Sequence, residues 1–362
     1  MLENIWTNFL LEQLVDRAKG FKPPNHNYQP LPDQWIALSL LQKAIRRGEQ
    51  QQALRAASYL YQLDYRMLWR RLVVIGWEDI GVGNADLCFS VTAAAGSKRW
   101  REAHGGDWHY VAYLTAAMCQ SIKDRSTDDL MMVALHDLQY LDERESYWDL
   151  QFGSLLAIVN DQNEPLVRRI IAAWYCAGTQ SYGFEGLRRR TGDVERYFQG
   201  LDPSICLEHV TSLCRIGVSR TRTPLPAFVP TFWRNYASVD ILPFVADGEF
   251  LEHNLAGIPR YAFDGFTRGG KRYLKKLARE HVPLKEFLAQ AAPTPERGAL
   301  VREMYFRIES SLCDKRLDWA IGNEARRRAD EVGFGLDASA FNVGKIILRE
   351  AISEMPMTEA DL

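Results

Sequence analysis

An all-α, strand-poor fold is predicted by three features of these 362 residues. Apolar positions recur at three- and four-residue steps, alternating Val/Ile/Thr runs are scarce, and Gly- or Pro-bearing breaks separate the periodic stretches. A multi-helix bundle is the expected architecture. Residues 1 to 19 read as an amphipathic helix with Ile5, Phe9, Leu10 and Leu14 on one side, ended by Gly20-Phe21-Lys22-Pro23-Pro24. Trp35, Leu38, Leu41 and Ile45 form the next stripe, and Leu54, Ala57, Leu60 and Tyr61 another, with Gly48 between them. Helical pattern is nearly continuous from 34 to about 180, broken at Gly81-Val82-Gly83-Asn84, at His104 to Asp107 and around Asp124 to Asp128. Pro224, Pro226 and Pro230 are expected to forbid ordinary helix between Thr221 and Pro230. A boundary near 195 to 225 then divides the chain into an N-terminal helix and Pro-rich linker (1–33), a helical domain (34–200) and a second, mostly helical subdomain (201–362). Further helices are expected at about 268 to 290, 297 to 312 and 340 to 353.

Composition narrows the function. The chain is 47% hydrophobic and 25% charged, the balance of a soluble globular protein, and its net charge of −2 makes any nucleic-acid contact local. Six cysteines, Cys88, Cys119, Cys176, Cys206, Cys214 and Cys313, stand in apolar surroundings with no Cys-x-x-Cys pair and read as reduced core residues. Met1 to Leu11 lacks a secretory pattern and no stretch is apolar enough to span a membrane, so a cytoplasmic protein without membrane partners is expected.

The most informative stretch runs from Arg70 to Gly81, where Arg70-Arg71, the apolar Leu72 to Ile75 and Glu78-Asp79 read as one buried, self-paired helix. Successive helical residues point about 100° apart, so at most one of Arg70 and Arg71 faces the acid pair while the other reaches a neighbouring helix. Arg70, Arg71, Glu78, Asp79 and Gly81 are accordingly expected to pin helices together.

This order of segments resembles the helical region beyond the ATPase core in the replication-associated recombination ATPases, the RarA/MgsA family. There a helix reading ALHKSIRG leads to an alanine-rich helix and then to ARRLVxIASEDIGxADP. Here Ala37 through Gly48 and Arg70 through Asp86 are the counterparts, with Leu87 in place of the proline and Gly76-Trp77 in place of Ala-Ser. The resemblance runs from Trp35 to Ala95 and more loosely to about residue 140. It implies an oligomerisation and partner-binding region working at replication forks, with no ATP site in this motif. The Gly-x-x-x-x-Gly-Lys-Ser/Thr loop of the family's ATPase is missing, since Thr267-Arg268-Gly269-Gly270-Lys271-Arg272 has no Ser or Thr after its Lys. The residues before Trp35 are too few for a nucleotide-binding domain. A stand-alone, non-catalytic relative without cofactor is the expected identity, accessory to DNA replication, recombination or repair, and able to modulate a full-length RarA-like ATPase or another fork protein.

Two basic clusters are candidates for nucleic acid. Arg168-Arg169, Arg188-Arg189-Arg190, Arg215, Arg220 and Arg222 are interleaved with Tyr182, Phe184, Tyr197 and Phe198, although Glu185, Asp193 and Glu195 make a solvated face an equal reading. In Ile258 to Arg272, Asp264 or Thr267 is placed to cap a helix opening at Arg268, bringing Arg268, Lys271 and Arg272 to an anion. The rival class is a metal-dependent helical phosphohydrolase using His109, His136 and Asp137, with His104 and Asp202 or Asp240 as further donors; its spacing is not diagnostic. No Gly-x-Ser-x-Gly elbow or other nucleophile signature occurs. Finally, Tyr59, Tyr61, Tyr65, Met67, Leu68 and Trp69 load residues 53 to 75 with more apolar surface than one core face requires, which favours a homo-oligomer.

Overall fold

Helix α1 (Leu2–Ala18) buries Leu10, Leu11, Leu14 and Ala18 but leaves Ile5 and Phe9 exposed, so only the C-terminal half of the expected stripe faces inward. In this computed structural model the described residues are 2–26, 28–180, 186–237, 243–248, 250, 254–332, 336 and 338–361. Asp33 starts α2 (Gln34–Arg46) by accepting the N–H groups of Trp35 and Ile36 at 2.8 and 2.9 Å. Gly48, at φ +70°, turns the chain back into α3 (Gln50–Ile75), and a Cβ there would run into the Asp314 carboxylate. The two helices form the expected hairpin, with Leu40, Leu41, Ile45, Ala57 and Leu60 at its seam.

Helix α3 is kinked at Asp64 (φ −157°, ψ 94°), whose Oδ1 accepts the N–H groups of Arg66 (2.9 Å) and Met67 (3.0 Å) and so restarts the helix. Beyond the kink Leu68 and Trp69 are buried, while Tyr61 packs on His26 and Trp108. Much of the apolar load of this helix is thus met by the chain itself.

The remaining N-terminal helices are α4 (Ala85–Ala95), α5 (Lys98–Ala103), α6 (Asp107–Gln120), α7 (Ser126–His136), α8 (Leu141–Ser146), α9 (Phe152–Asn160) and α10 (Leu166–Ala177). Then come α11 (Val194–Gln199), α12 (Glu208–Thr221) and α13 (Leu225–Ala237). Helix α13 corrects the expectation drawn from three prolines. Pro224 and Pro226 fall before and within its first turn, where no N–H is needed, and Pro230 is buried, its missing hydrogen bond offset by apolar packing.

Strands are minor. β1 (Phe244–Val245) pairs antiparallel with β4 (Arg316–Leu317), and β2 (Asn254–Leu255) with β3 (Ile258–Pro259). Helices α14 (Arg268–Glu280), α15 (Val282–Ala291), α16 (Arg297–Tyr305), α17 (Ala320–Glu331) and α18 (Ala338–Glu354) complete the chain. One continuous apolar core extends from Leu10 to Met357. It crosses the segment where a boundary was expected: the Tyr197 hydroxyl donates to Ala227 O at 2.7 Å, and Trp174 of α10 meets Phe228 of α13 edge-on at 5.6 Å. All six cysteines are buried thiols, and burial pushes those of Cys119, Cys176, Cys206 and Cys313 up to about 12. Among the described residues no helix is long and apolar enough to cross a membrane.

Candidate functional site

The acid pair singled out in the sequence lies on a π-helical turn, Gly76–Ile80, inserted between α3 and a 3-10 turn at Gly81–Asn84. Gly81, at φ +49°, and Gly83 let the Ile122–Asp124 segment pass close: a Cβ at Gly81 would sit 2.7 Å from Asp124 O, one at Gly83 2.8 Å from Ile122 O, and the Asp124 N–H reaches Asp79 O at 3.0 Å. Asp79 is fully buried. Its Oδ1 accepts from Arg46 Nε (2.5 Å) and from Arg125 Nη1, and its Oδ2 from Gln42 Nε2 (2.8 Å). Arg71 reaches this carboxylate only through Gln42, donating to Oε1 at 2.6 Å, and Arg70 is exposed and pairs with neither acid. The bases that hold the acid pair therefore come from α2 and from the turn before α7.

A second π-helical turn, Phe306–Ser310, closes the cluster from the other side. Arg46 bridges the two turns, pairing with Glu78 (2.8 Å) and donating to Ser310 O (2.7 Å). Arg47 pairs with Glu309 at 2.9 Å, and Arg307 with Asp129 at 2.8 Å. The guanidiniums of Arg46, Arg125 and Arg307 lie 5.5, 5.4 and 5.5 Å from the centre of the Phe306 ring. Burial opposes ionisation of Asp79, but Arg46, Arg125 and Gln42 overcome it and hold its carboxyl below the usual range. Trp77, standing where the resembled motif has Ser, is 1% exposed; it lies against Gly217 of α12 and donates to Thr92 Oγ1 at 3.0 Å.

Asp124, beside this network, has no cationic partner among the described residues. Its Oδ1 accepts from Ser126 and Trp319, its Oδ2 is buried without a hydrogen bond, and burial pushes its carboxyl up to about 6. Between pH 4 and 6 the folded state holds a proton on Asp124 that the unfolded chain has released, so this group's contribution falls as pH rises. Above pH 6 the penalty amounts to up to about 3 kcal/mol. Asp124→Asn is expected to gain stability over wild type as pH rises from 4 to 6 and to hold that gain above. Urea midpoints across that window check it, and a pH-independent difference would refute it.

The three central arginines of the basic run are not equivalent. Arg188 lies 5.2 Å from the centre of the Trp148 ring and Arg189 is exposed, but Arg190 donates to the carbonyls of Tyr147 (3.3 Å), Trp148 (2.7 Å) and Leu150 (2.8 Å). Arg190 is committed to the backbone. Tyr197 and Phe198 belong to the core, which removes them as base-stacking rings; Tyr182, Phe184 and Glu185 lie outside the described residues.

Helix α14 presents the more open surface. Thr267 caps it by accepting the Gly270 N–H at 3.1 Å, and Asp264 stands behind the cap, paired with buried Lys43. A Cβ at Gly270 would collide with Asp264 O, so glycine lets the helix start this close to the turn. Gly269, Gly270, Tyr273, Leu274 and Leu277 face the core. Arg268, Lys271, Arg272 and Lys275 share the opposite face at helical spacing, exposed and with no ion pair or side-chain hydrogen bond among the described residues. Phe266, 76% exposed, projects beside the first turn.

The phosphohydrolase donors have other partners. His109 packs on Phe21, Asp137 pairs with Arg328, and His136 is pushed down to about 4 by burial and by Arg144 and Arg307. Among the described residues, no three His, Cys, Asp or Glu side chains converge to hold a metal ion; Asp240 lies outside them. Searches against family models, curated proteins and solved structures return no match.

Proposed function

We propose that the protein is a non-catalytic, nucleic-acid-binding accessory of DNA replication, recombination or repair that engages the sugar-phosphate backbone through α14. The observation that carries this reading is the face formed by Arg268, Lys271, Arg272 and Lys275, four exposed cations without acidic partners among the described residues, beside an exposed aromatic ring. Lysine and arginine on one helix face neutralise phosphates without reading sequence, and an exposed ring stacks on an unpaired base. A local basic face on a chain of net charge −2 suits a protein that touches DNA with one surface and keeps the rest for protein contacts. The RarA/MgsA-like order of Ala37 to Gly48 and Arg70 to Asp86 supports placing that work at replication forks, with a full-length ATPase of that family or another copy of this chain as partner.

Fluorescence anisotropy with labelled single- and double-stranded oligonucleotides tests the reading. Binding is expected to weaken steeply with salt, because each phosphate contact releases about one counterion. Affinity no better than about 10⁻⁴ M at physiological salt, the weak edge of non-specific binding, would overturn it.

A further inference from the structure

On a different part of the fold, α3, α5 and α12 enclose a cleft of about 260 Å³ lined by Arg66, Arg70, Lys98, Arg101 and Arg220 and by no acidic side chain among the described residues. Two of these cations are compensated. Arg101, 1% exposed at the base, pairs with Asp107 at 2.5 Å and lies 4.2 Å from the centre of the Trp69 ring. Lys98 sits 3.5 Å from Glu102 and also donates to the Tyr65 hydroxyl at 3.3 Å. Arg66 has only that same phenol as a side-chain partner, at 3.2 Å, and Arg70 and Arg220 have neither ion pair nor side-chain hydrogen bond among the described residues. The guanidinium of Arg220 rests over Gly96 at the end of α4, in space that a Cβ would take. The partial negative charge of that helix end attracts Arg220 without neutralising it.

We propose that this cleft binds a phosphate monoester. Two guanidiniums without a partner, Arg70 on α3 and Arg220 on α12, together with Arg66, held only by a phenol and the neighbouring Asp64, match a tetrahedral dianion with several acceptor oxygens better than a planar, singly charged carboxylate. The volume lies just below the roughly 300–1,000 Å³ of ordinary small-molecule pockets, and Trp69 and Arg101 close its floor. The volume suits a single phosphate group with the first atoms of its ester. The same chemistry is offered by a free mononucleotide and by the 5′-phosphate of a DNA strand. The proposal stands apart from the DNA-binding reading of α14, which packs on α15 and α16 and lines no part of the cleft.

Isothermal titration calorimetry on the full chain with inorganic phosphate, adenosine monophosphate and adenosine tests it. Saturable binding is expected for the two phosphates and not for adenosine. Arg70→Gln combined with Arg220→Gln removes two exposed side chains and is expected to weaken adenosine monophosphate binding at least about tenfold, the loss of one charged hydrogen bond or more. Gly96→Ala, which keeps every charge but displaces the Arg220 guanidinium, should weaken it in the same direction. Unchanged melting temperatures show that the variants are folded. Absence of saturable phosphate binding, or equal affinity in the double variant, refutes the site. Oligonucleotides with a 5′-phosphate or a 5′-hydroxyl separate the sources. A preference for the phosphorylated end that vanishes in the double variant assigns the site to strand ends, and equal affinity with adenosine monophosphate still bound assigns it to a free nucleotide. Phosphate binding that survives neutralisation of α14 keeps this result distinct from failure of the DNA-binding reading.

Discussion

Asp79→Ala is expected to cost about 3 kcal/mol, because it takes from the buried guanidiniums of Arg46 and Arg125 the carboxylate that both contact, leaving Arg46 to Glu78 and Arg125 to Asp128. Against a total stability of roughly 5–15 kcal/mol, that removes a large share of it. Chemical denaturation measures it, with Arg70→Ala as the control: Arg70 is exposed and has no ion pair among the described residues, so its removal should change stability by no more than about 0.5 kcal/mol. A wild-type midpoint for Asp79→Ala would show that the cluster carries no such weight. The same carboxylate predicts an acid response. Asp79, Asp129 and Asp264 are each buried, yet their cationic partners hold them below the usual carboxylate range. Their stabilising contribution is therefore present above pH 4, and it is lost as pH falls below that value and the folded state must take up protons.

The second large effect is expected on DNA affinity. Reversing Arg268, Lys271 and Arg272 to Glu together should weaken DNA binding roughly 100-fold at moderate salt, at about 1 kcal/mol for each phosphate that is no longer neutralised. The slope of log affinity against log salt should become shallower by about 2 to 3. Exposed and without ion pairs among the described residues, these side chains leave the fold intact when replaced. Replacing Arg188, Arg189 and Arg190 together is the comparison: it removes the hydrogen bonds from Arg190 to three carbonyls and should show first as reduced stability. Unchanged DNA affinity after the α14 reversal, with binding abolished in the Arg188–Arg190 variant, would move the interface.

What the sequence made legible is local. The α2–α3 hairpin declares itself through apolar repeats at three- and four-residue steps, and the basic face of α14 through Arg268, Lys271 and Arg272, to which the structure adds Lys275. The partners of Asp79 are 33 and 46 residues away, at Arg46 and Arg125, and no periodicity within 70–81 points to either. The partner of Arg46 at Ser310 O is 264 residues further along the chain, and nothing near Arg46 in the sequence points to it. The three prolines misled for a related reason. Pro230 is judged unhelical on backbone grounds alone, and only its burial among α13 neighbours tips the balance.

The two π-helical turns change how the fold responds to residue count as well as to residue identity. A π turn amounts to one residue inserted in an α-helix, so deleting a single codon within Gly76–Ile80 lets the segment relax to regular helix. Because the wide turn already absorbs the extra residue, side chains beyond it stay nearly in phase with those upstream, and the displacement is confined to the turn itself, where the remaining side chains shift relative to Arg46. A deletion in the regular turns of α2 or α10 has no such outlet and rotates everything beyond it by about 100°, so a codon-deletion library should show 76–80 and 306–310 as more permissive than those helices wherever the deleted residue is not itself one of the paired acids.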